Sequence, residues 1–200
     1  MLIEAAFAAA SSGPRAPTAR DRLLRTAGRL FYAEGIKAVS VDRLLVEAGT
    51  TRATFYRHFA GKQDLVLAYL GTVDAHLRAH VDEVLASGAG PEPLLYGIAE
   101  EIGGDICGPG FRGCPFLNAA AEHPDADDPV HRAVLAHRQW FSGVVTDALI
   151  RLGHPRAEAA ARQLVMLRDG AMAAGHLSDP DVVRESLLTG TKDLLDFSRN

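Results

Sequence analysis

Cysteine is nearly absent from this 200-residue chain, and long apolar runs are missing altogether. The two cysteines, Cys107 and Cys114, make no disulfide framework, so a reducing, cytoplasmic setting is expected. No stretch approaches the roughly 20 apolar residues of a membrane span. Residues 1–10 are apolar but include Glu4, lack a basic leader and are shorter than a usual signal peptide. Strand-like alternation and internal repeats are lacking too, which leaves an all-α reading. There is no phosphate-cradling glycine motif, nucleophile elbow or zinc-protease signature, so neither an enzyme nor a cofactor is expected. The acidic run Asp125, Asp127, Asp128 lacks the glycine and terminal glutamate of a calcium loop. His76 and His80 stand at the i, i+4 spacing of a metal clasp, but no third ligand is close in sequence. Solvated or hydrogen-bonded histidines are expected there, and no metal.

The composition, 48% hydrophobic and 23% charged, suffices for a core and excludes wholesale disorder. The net charge of −4 argues against a generally basic coat, but its distribution is uneven. Residues 1–66 hold ten Lys and Arg against six Asp and Glu, a net of +4. The remainder holds eleven against nineteen, a net of −8. A basic head on an acidic body suits one surface that meets phosphates and another that avoids them.

Helical periodicity runs through most of the chain. Leu23, Leu24, Ala27, Leu30 and Phe31 share one face of a first helix, capped by Thr18 and closed by Gly35. Ser40 caps a second, short helix with Val41, Leu44, Leu45 and Ala48 on its inner face. Gly49 permits a tight turn, and Thr51 caps a third helix. Two short helices so joined make a helix-turn-helix over about residues 40–59. A long helix follows from Gly61 to about Ala86. Pro91 opens another, expected to end at Gly103-Gly104; a short segment spans 114–122 and three further helices follow Pro129. Residues 1–17 read as a flexible arm, in which Arg15, together with Arg20 beyond it, could reach a minor groove.

The stretch Thr51 to Lys62 is the most informative. It packs a capping hydroxyl, aromatic side chains, three basic groups and a histidine into about three helical turns. Such chemistry suits a helix that enters a major groove by its leading end. Arg52 can donate in a fork to a guanine edge, and Thr50, Thr51 and Thr54 can meet a phosphate or a thymine methyl. Tyr56, Arg57 and His58 suit backbone contacts, with Ser40 as a further contact from the helix before. Lys62 stands at a helix start, where exposed N–H groups also favour phosphate. Phe55 and Phe59 should face inward, toward Phe31 and Leu44. An exposed polar helix without a ligand is the bland alternative.

The pattern Ala27, Phe31, Gly35, Val41, Ala48, Gly49, Thr54, Phe55, Tyr56, His58, Phe59, Lys62, Leu65 resembles the N-terminal domain of the TetR family of bacterial transcriptional repressors. Thr50 stands where that pattern usually has an apolar residue, and Ala53 where glycine is common. The resemblance implies a DNA-binding domain over 18–66 and a ligand-binding and dimerisation domain over 67–200. It implies a homodimer on a near-palindromic operator in double-stranded DNA, released by a small, largely apolar inducer. The last two long helices would then pair with those of the partner, for which Gly170, Ala171, Ala173, Ala174 and Gly175 leave room; packing inside one chain is the alternative.

The segment from Gly110 to Glu122 also resembles a piece found in a subset of these regulators, where it borders the inducer cavity. Cys114, Phe116, Leu117 and Asn118 become ligand candidates, joined by Tyr69, Val73, His80, Trp140, Phe141 and Met166. An apolar chamber with a few polar groups is the usual form of such a site, the alternative being that these residues fill a core. Two other readings stay open. Cys107 and Cys114 could form a redox or electrophile switch, although buried inert cysteine is the commoner case. A helical small-molecule binding protein without DNA binding is the other.

Overall fold

A computed structural model of the chain describes residues 2–9 and 17–196, and the expected arm residue Arg15 lies outside them. The described residues form ten helices: α1 (Leu2–Ala9), α2 (Ala19–Glu34), α3 (Val41–Glu47), α4 (Arg52–His58), α5 (Lys62–Ala86), α6 (Pro91–Ile106), α7 (Pro115–Glu122), α8 (Pro129–Leu152), α9 (Ala157–Ala174) and α10 (Pro180–Leu195). None is long and apolar enough to cross a membrane. The chain packs as two compact units, Met1–Arg78 with Pro115–Leu135, and Ala79–Cys114 with Ala136–Asn200. Packing therefore divides the chain differently from the partition at residue 66 that the resemblance implies.

The first unit is built on α2. Its start is a full capping box: Asp21 N–H donates to Thr18 Oγ1 at 3.2 Å, and Thr18 N–H donates to Asp21 Oδ2 at 2.9 Å. The Thr18 hydroxyl, donating to Asp21 Oδ2 at 2.7 Å, and then the Thr18 N–H hold the Asp21 carboxyl below the usual aspartate range. The helix ends at Gly35, whose φ of 92° favours glycine. The expected inner face, Leu23, Leu24, Ala27, Leu30 and Phe31, is buried. So are Leu44, Leu45 and Ala48, while Val41 is only half-buried.

Helix α1 was not legible as structure in the sequence. Its Phe7 ring stacks on Tyr69 at 6.1 Å, and Phe31 meets the same ring edge-on at 5.8 Å. A Cβ on Gly28 would stand 2.5 Å from the Phe7 ring, so the missing side chain is what admits it. At the other end of this unit, α7 reaches the loop between α2 and α3. Glu122 accepts the backbone N–H groups of Ile36 and Lys37 at 2.7 and 2.5 Å. Asp128 accepts Val130 N–H at 2.7 Å and Gln63 Nε2–H at 3.2 Å, and lies 2.8 Å from His123 Nδ1.

The second unit joins α6, most of α8, α9 and α10. Leu94, Leu95, Leu149, Leu164 and Leu195 fill one part of its core, Ile106, Ala171, Val183 and Leu187 another. Helix α6 does not stop at Gly103-Gly104 but runs on to Ile106. Gly103 instead marks a close approach, since a Cβ there would lie 2.7 Å from Arg184 Cγ of α10. Gly190 of α10 leaves room in the same way for Leu167 of α9.

Candidate nucleic-acid interface and ligand cavity

The turn between α3 and α4 is fastened from several sides. Ser40 Oγ accepts Arg43 N–H and Thr51 Oγ1 accepts Thr54 N–H, each at 3.2 Å, so both hydroxyls act as N-caps. Gly49 takes φ 57°, and Arg22 Nε–H donates to the Ala48 carbonyl at 3.3 Å. Arg43 forks onto Glu34 at 2.5 and 2.8 Å and also reaches Glu47, which Arg29 clasps from α2. Hydrogen bonding to Arg29, and then to Arg43, holds Glu47 below the usual carboxylate range. Such exposed pairs are individually weak; linked together they set the register of α3 on α2.

Helix α4 has seven residues, so the sequence-expected three turns shorten to two, ending at the extended Phe59. Phe55 and Phe59 are buried, as expected, with ring centroids 5.8 Å apart. Thr51, Arg52, Tyr56 and Arg57 are exposed; Thr50, Thr54 and His58 are half-buried. Two residues are not free in the way their sequence positions suggest. Arg52 pairs through Nη2 with Asp42 of α3. Lys62 Nζ donates to the Lys37 carbonyl at 3.5 Å; burial pushes its ammonium below the ordinary lysine range, opposed by the charge of Glu122. Arg20, the other arm candidate, lies over the Phe59 ring at 5.4 Å.

The second unit holds a small, partly open cavity of about 20 Å³ between α6, α8, α9 and α10. Its walls are apolar, with Leu95, Ile102, Phe141 and Leu164 among them, and its polar members are Arg168 and Thr191. Arg168 Nη1–H donates to Asp169 Oδ1 at 3.0 Å and Nη2–H to Cys114 Sγ at 3.3 Å, with the guanidinium 5.4 Å over the Phe141 ring. Arg168 Nε and Thr191 Oγ1 are both buried without a partner. Each such group costs about 1–3 kcal/mol while it stays unpaired. A larger hollow of about 270 Å³ near the α8–α9 turn is lined by His154, Arg156, Gln163 and Asp193, all exposed or half-exposed, and strands no buried polar group.

Residues 23–69, which span α3, α4 and most of α2, match the family model for bacterial regulatory proteins of the tetR family. The fold is similar to the crystal structure of SCO4454, a TetR-family transcriptional regulator from Streptomyces coelicolor. The two chains are 55% identical with a TM-score of 0.85, covering 88% of this chain and 94% of that one. Among sequence relatives, the transcriptional regulator LmrA of Bacillus subtilis (strain 168) is 23% identical over 126 residues, 62% of this chain and 67% of LmrA. The regulator TcmR of Streptomyces glaucescens is 30% identical over 87 residues, 44% of this chain and 38% of TcmR.

The chain belongs to the TetR family.

As a TetR-family protein it is a DNA-binding transcriptional regulator, in a family that is not enzymatic. The all-helical fold with an N-terminal helix-turn-helix and a larger helical C-terminal part agrees with the sequence reading. The ligand candidates scatter. Tyr69, Val73 and Phe116 are buried in the unit that carries the helix-turn-helix, Tyr69 between Phe7 and Phe31. Leu117 is half-buried and Asn118 exposed. His80 pairs with Glu101 at 2.7 Å, and Trp140 packs 5.5 Å from His137. Phe141 lines the cavity and Cys114 bonds to Arg168 beside it. Met166 is 69% exposed on α9 and is no part of the cavity. Cys107 Sγ donates to Pro180 O and Asp181 Oδ1 at 3.6 Å; desolvation and then the Asp181 hydrogen bond push its thiol up, away from the reactive form.

Neither Arg168 nor Thr191 stands among the ligand candidates read from the sequence. Both left a signal: Arg168 follows Leu164 by four residues on the apolar face of α9, and Thr191 interrupts the leucine stripe of α10. A polar residue in core register is what merited notice.

Proposed function

We propose that this TetR-family protein is a homodimeric repressor, released from a near-palindromic operator by a small, largely apolar inducer. Residues 18–66 are its DNA-binding domain and 67–200 its ligand-binding and dimerisation domain, and it acts in the cytoplasm. Arg52 reads a guanine edge, while Thr50, Thr51, Thr54, Tyr56, Arg57, His58, Ser40 and Lys62 grip phosphate or neighbouring bases. The observation that carries this reading is the braced helix-turn-helix with Arg52, Tyr56 and Arg57 left exposed on α4.

Dimerisation has its own support on α9. Met166, Gly170 and Ala173 recur at a helical spacing on α9, and Leu177 follows in the turn after it; all four are exposed, a stripe of small and apolar groups with no cover in the single chain. Ala171 and Gly175, by contrast, serve packing within the chain, against the α6–α10 core and Phe111. Binding of the inducer favours a conformation whose two α4 helices no longer match successive major grooves, roughly 34 Å apart.

The test is selection of bound duplexes from genomic fragments by the purified full-length protein at moderate salt. Recovery of a near-palindrome, bound more tightly as salt falls, is the expected result. A folded dimer that enriches no duplex at any salt overturns the reading.

A further inference from the structure

Resting on the reading that a ligand enters the C-terminal domain, the chemistry of the cavity narrows the ligand class. The walls are apolar, and the buried groups left unsatisfied there are one N–H of a guanidinium, Arg168 Nε, and the hydroxyl of the fully buried Thr191. The guanidinium is already engaged through its two other nitrogens, by Asp169 and by Cys114, so it is held in place while its buried Nε–H has no acceptor. Its charge is incompletely balanced, because the carboxylate it pairs with among the described residues, Asp169, is shared with Arg138 at 2.6 Å. Two cations on one anion leave a surplus positive charge next to an apolar space. A water could satisfy the donor, but it would leave that charge uncompensated. The Thr191 hydroxyl, on the lining of the same cavity, is a second unpaired donor, and a carboxylate can accept from both.

We propose that the ligand is an apolar carboxylic acid, bound as its carboxylate with the head on Arg168 Nε–H and Thr191 Oγ–H. Its apolar body enters by parting the walls at Phe141 and Leu164, since a space of about 20 Å³ holds about one water. Cys114, which Arg168 grips, directly precedes α7, and α7 ends in Glu122 on the loop before α3. Engagement of Arg168 by a carboxylate would therefore act on the residue from which α7 starts.

The test uses the full-length protein and its selected duplex. Carboxylates from butanoate to dodecanoate, with benzoate and 2-naphthoate, are titrated beside the matching alcohols and amines. Thermal unfolding without DNA reports binding, and fluorescence anisotropy of labelled duplex reports release. The expected result is a saturable rise in Tm with at least one carboxylate, on the order of tenfold tighter than its alcohol or amine. Arg168→Gln should weaken that binding by about tenfold or more, and Thr191→Val, close in volume, should also weaken it if the arginine variant does not fold. Alcohols that bind as well as the acids, or no saturable binding by any acid, overturn the proposal. Acid binding lost in the variants, but without duplex release, upholds the site while refuting inducer release. Release by alcohols alone does the reverse.

Discussion

The Glu122 carboxylate, at the last residue of α7, accepts the backbone N–H of Ile36 at 2.7 Å. Its second oxygen takes the next N–H, from Lys37. One side chain 85 residues downstream thus closes the loop that aims α3, and Gly35 lacks the Cβ that would stand 3.2 Å from its Oε1. Replacing Glu122 by Ala strands two backbone donors. We expect a loss of about 1–3 kcal/mol, read by urea unfolding, and a weaker duplex affinity than that change alone explains. An unfolding curve matching the parent's would show that water replaces the carboxylate without penalty.

Arg52 pairs with Asp42 in the absence of DNA. For the guanidinium to read a base it must exchange that partner. Asp42→Asn removes both the competitor and a negative charge near phosphate, so duplex affinity should rise. Arg52→Ala should cost about 1–3 kcal/mol of binding and relax preference at one base pair. Lys62→Ala should weaken all sequences alike and reduce the salt slope by about 1. Anisotropy titrations at several salt concentrations separate these cases; equal losses on all sequences for Arg52→Ala would reassign it to phosphate.

Acid should loosen the first unit. Thr18 lowers the folded-state pKa of Asp21 below its unfolded value, so the folded form binds fewer protons. That contribution is complete above the ordinary aspartate pKa and is lost as pH falls through the lower folded one. Because Asp21 is only half-buried, solvent screening keeps the effect small. Asp21→Asn should flatten part of the acid limb in a plot of Tm against pH. An unchanged limb would move its origin to other carboxylates.

Met166 tests the dimer surface. Substituting Lys places a charge at the exposed start of the Met166, Gly170, Ala173, Leu177 stripe, where it disturbs no contact inside the chain's core. Sedimentation should shift toward monomer, with duplex affinity falling as the second half-site contact is lost. A dimer of undiminished stability would move the interface off this face of α9.

Local physics carried far in this sequence. Capping hydroxyls at Thr18, Ser40 and Thr51, glycines at Gly35 and Gly49, and apolar spacing along each long helix act within a few residues, so the helix-turn-helix and the all-helical class were legible without coordinates. Tertiary structure decided the rest, because the forces concerned join residues far apart in the chain. The eight residues of α1 make too short a helix to stand alone in water, and hold because Gly28 and Tyr69 offer Phe7 a slot. Gly103 reads as a helix end by composition, yet serves as a gap for Arg184. Arg168 and Thr191 stand in the apolar registers of α9 and α10, and only packing set both on one cavity with polar atoms buried and bonds unmade. A sequence shows which residues are polar; whether burial leaves them unpaired depends on what folding brings beside them.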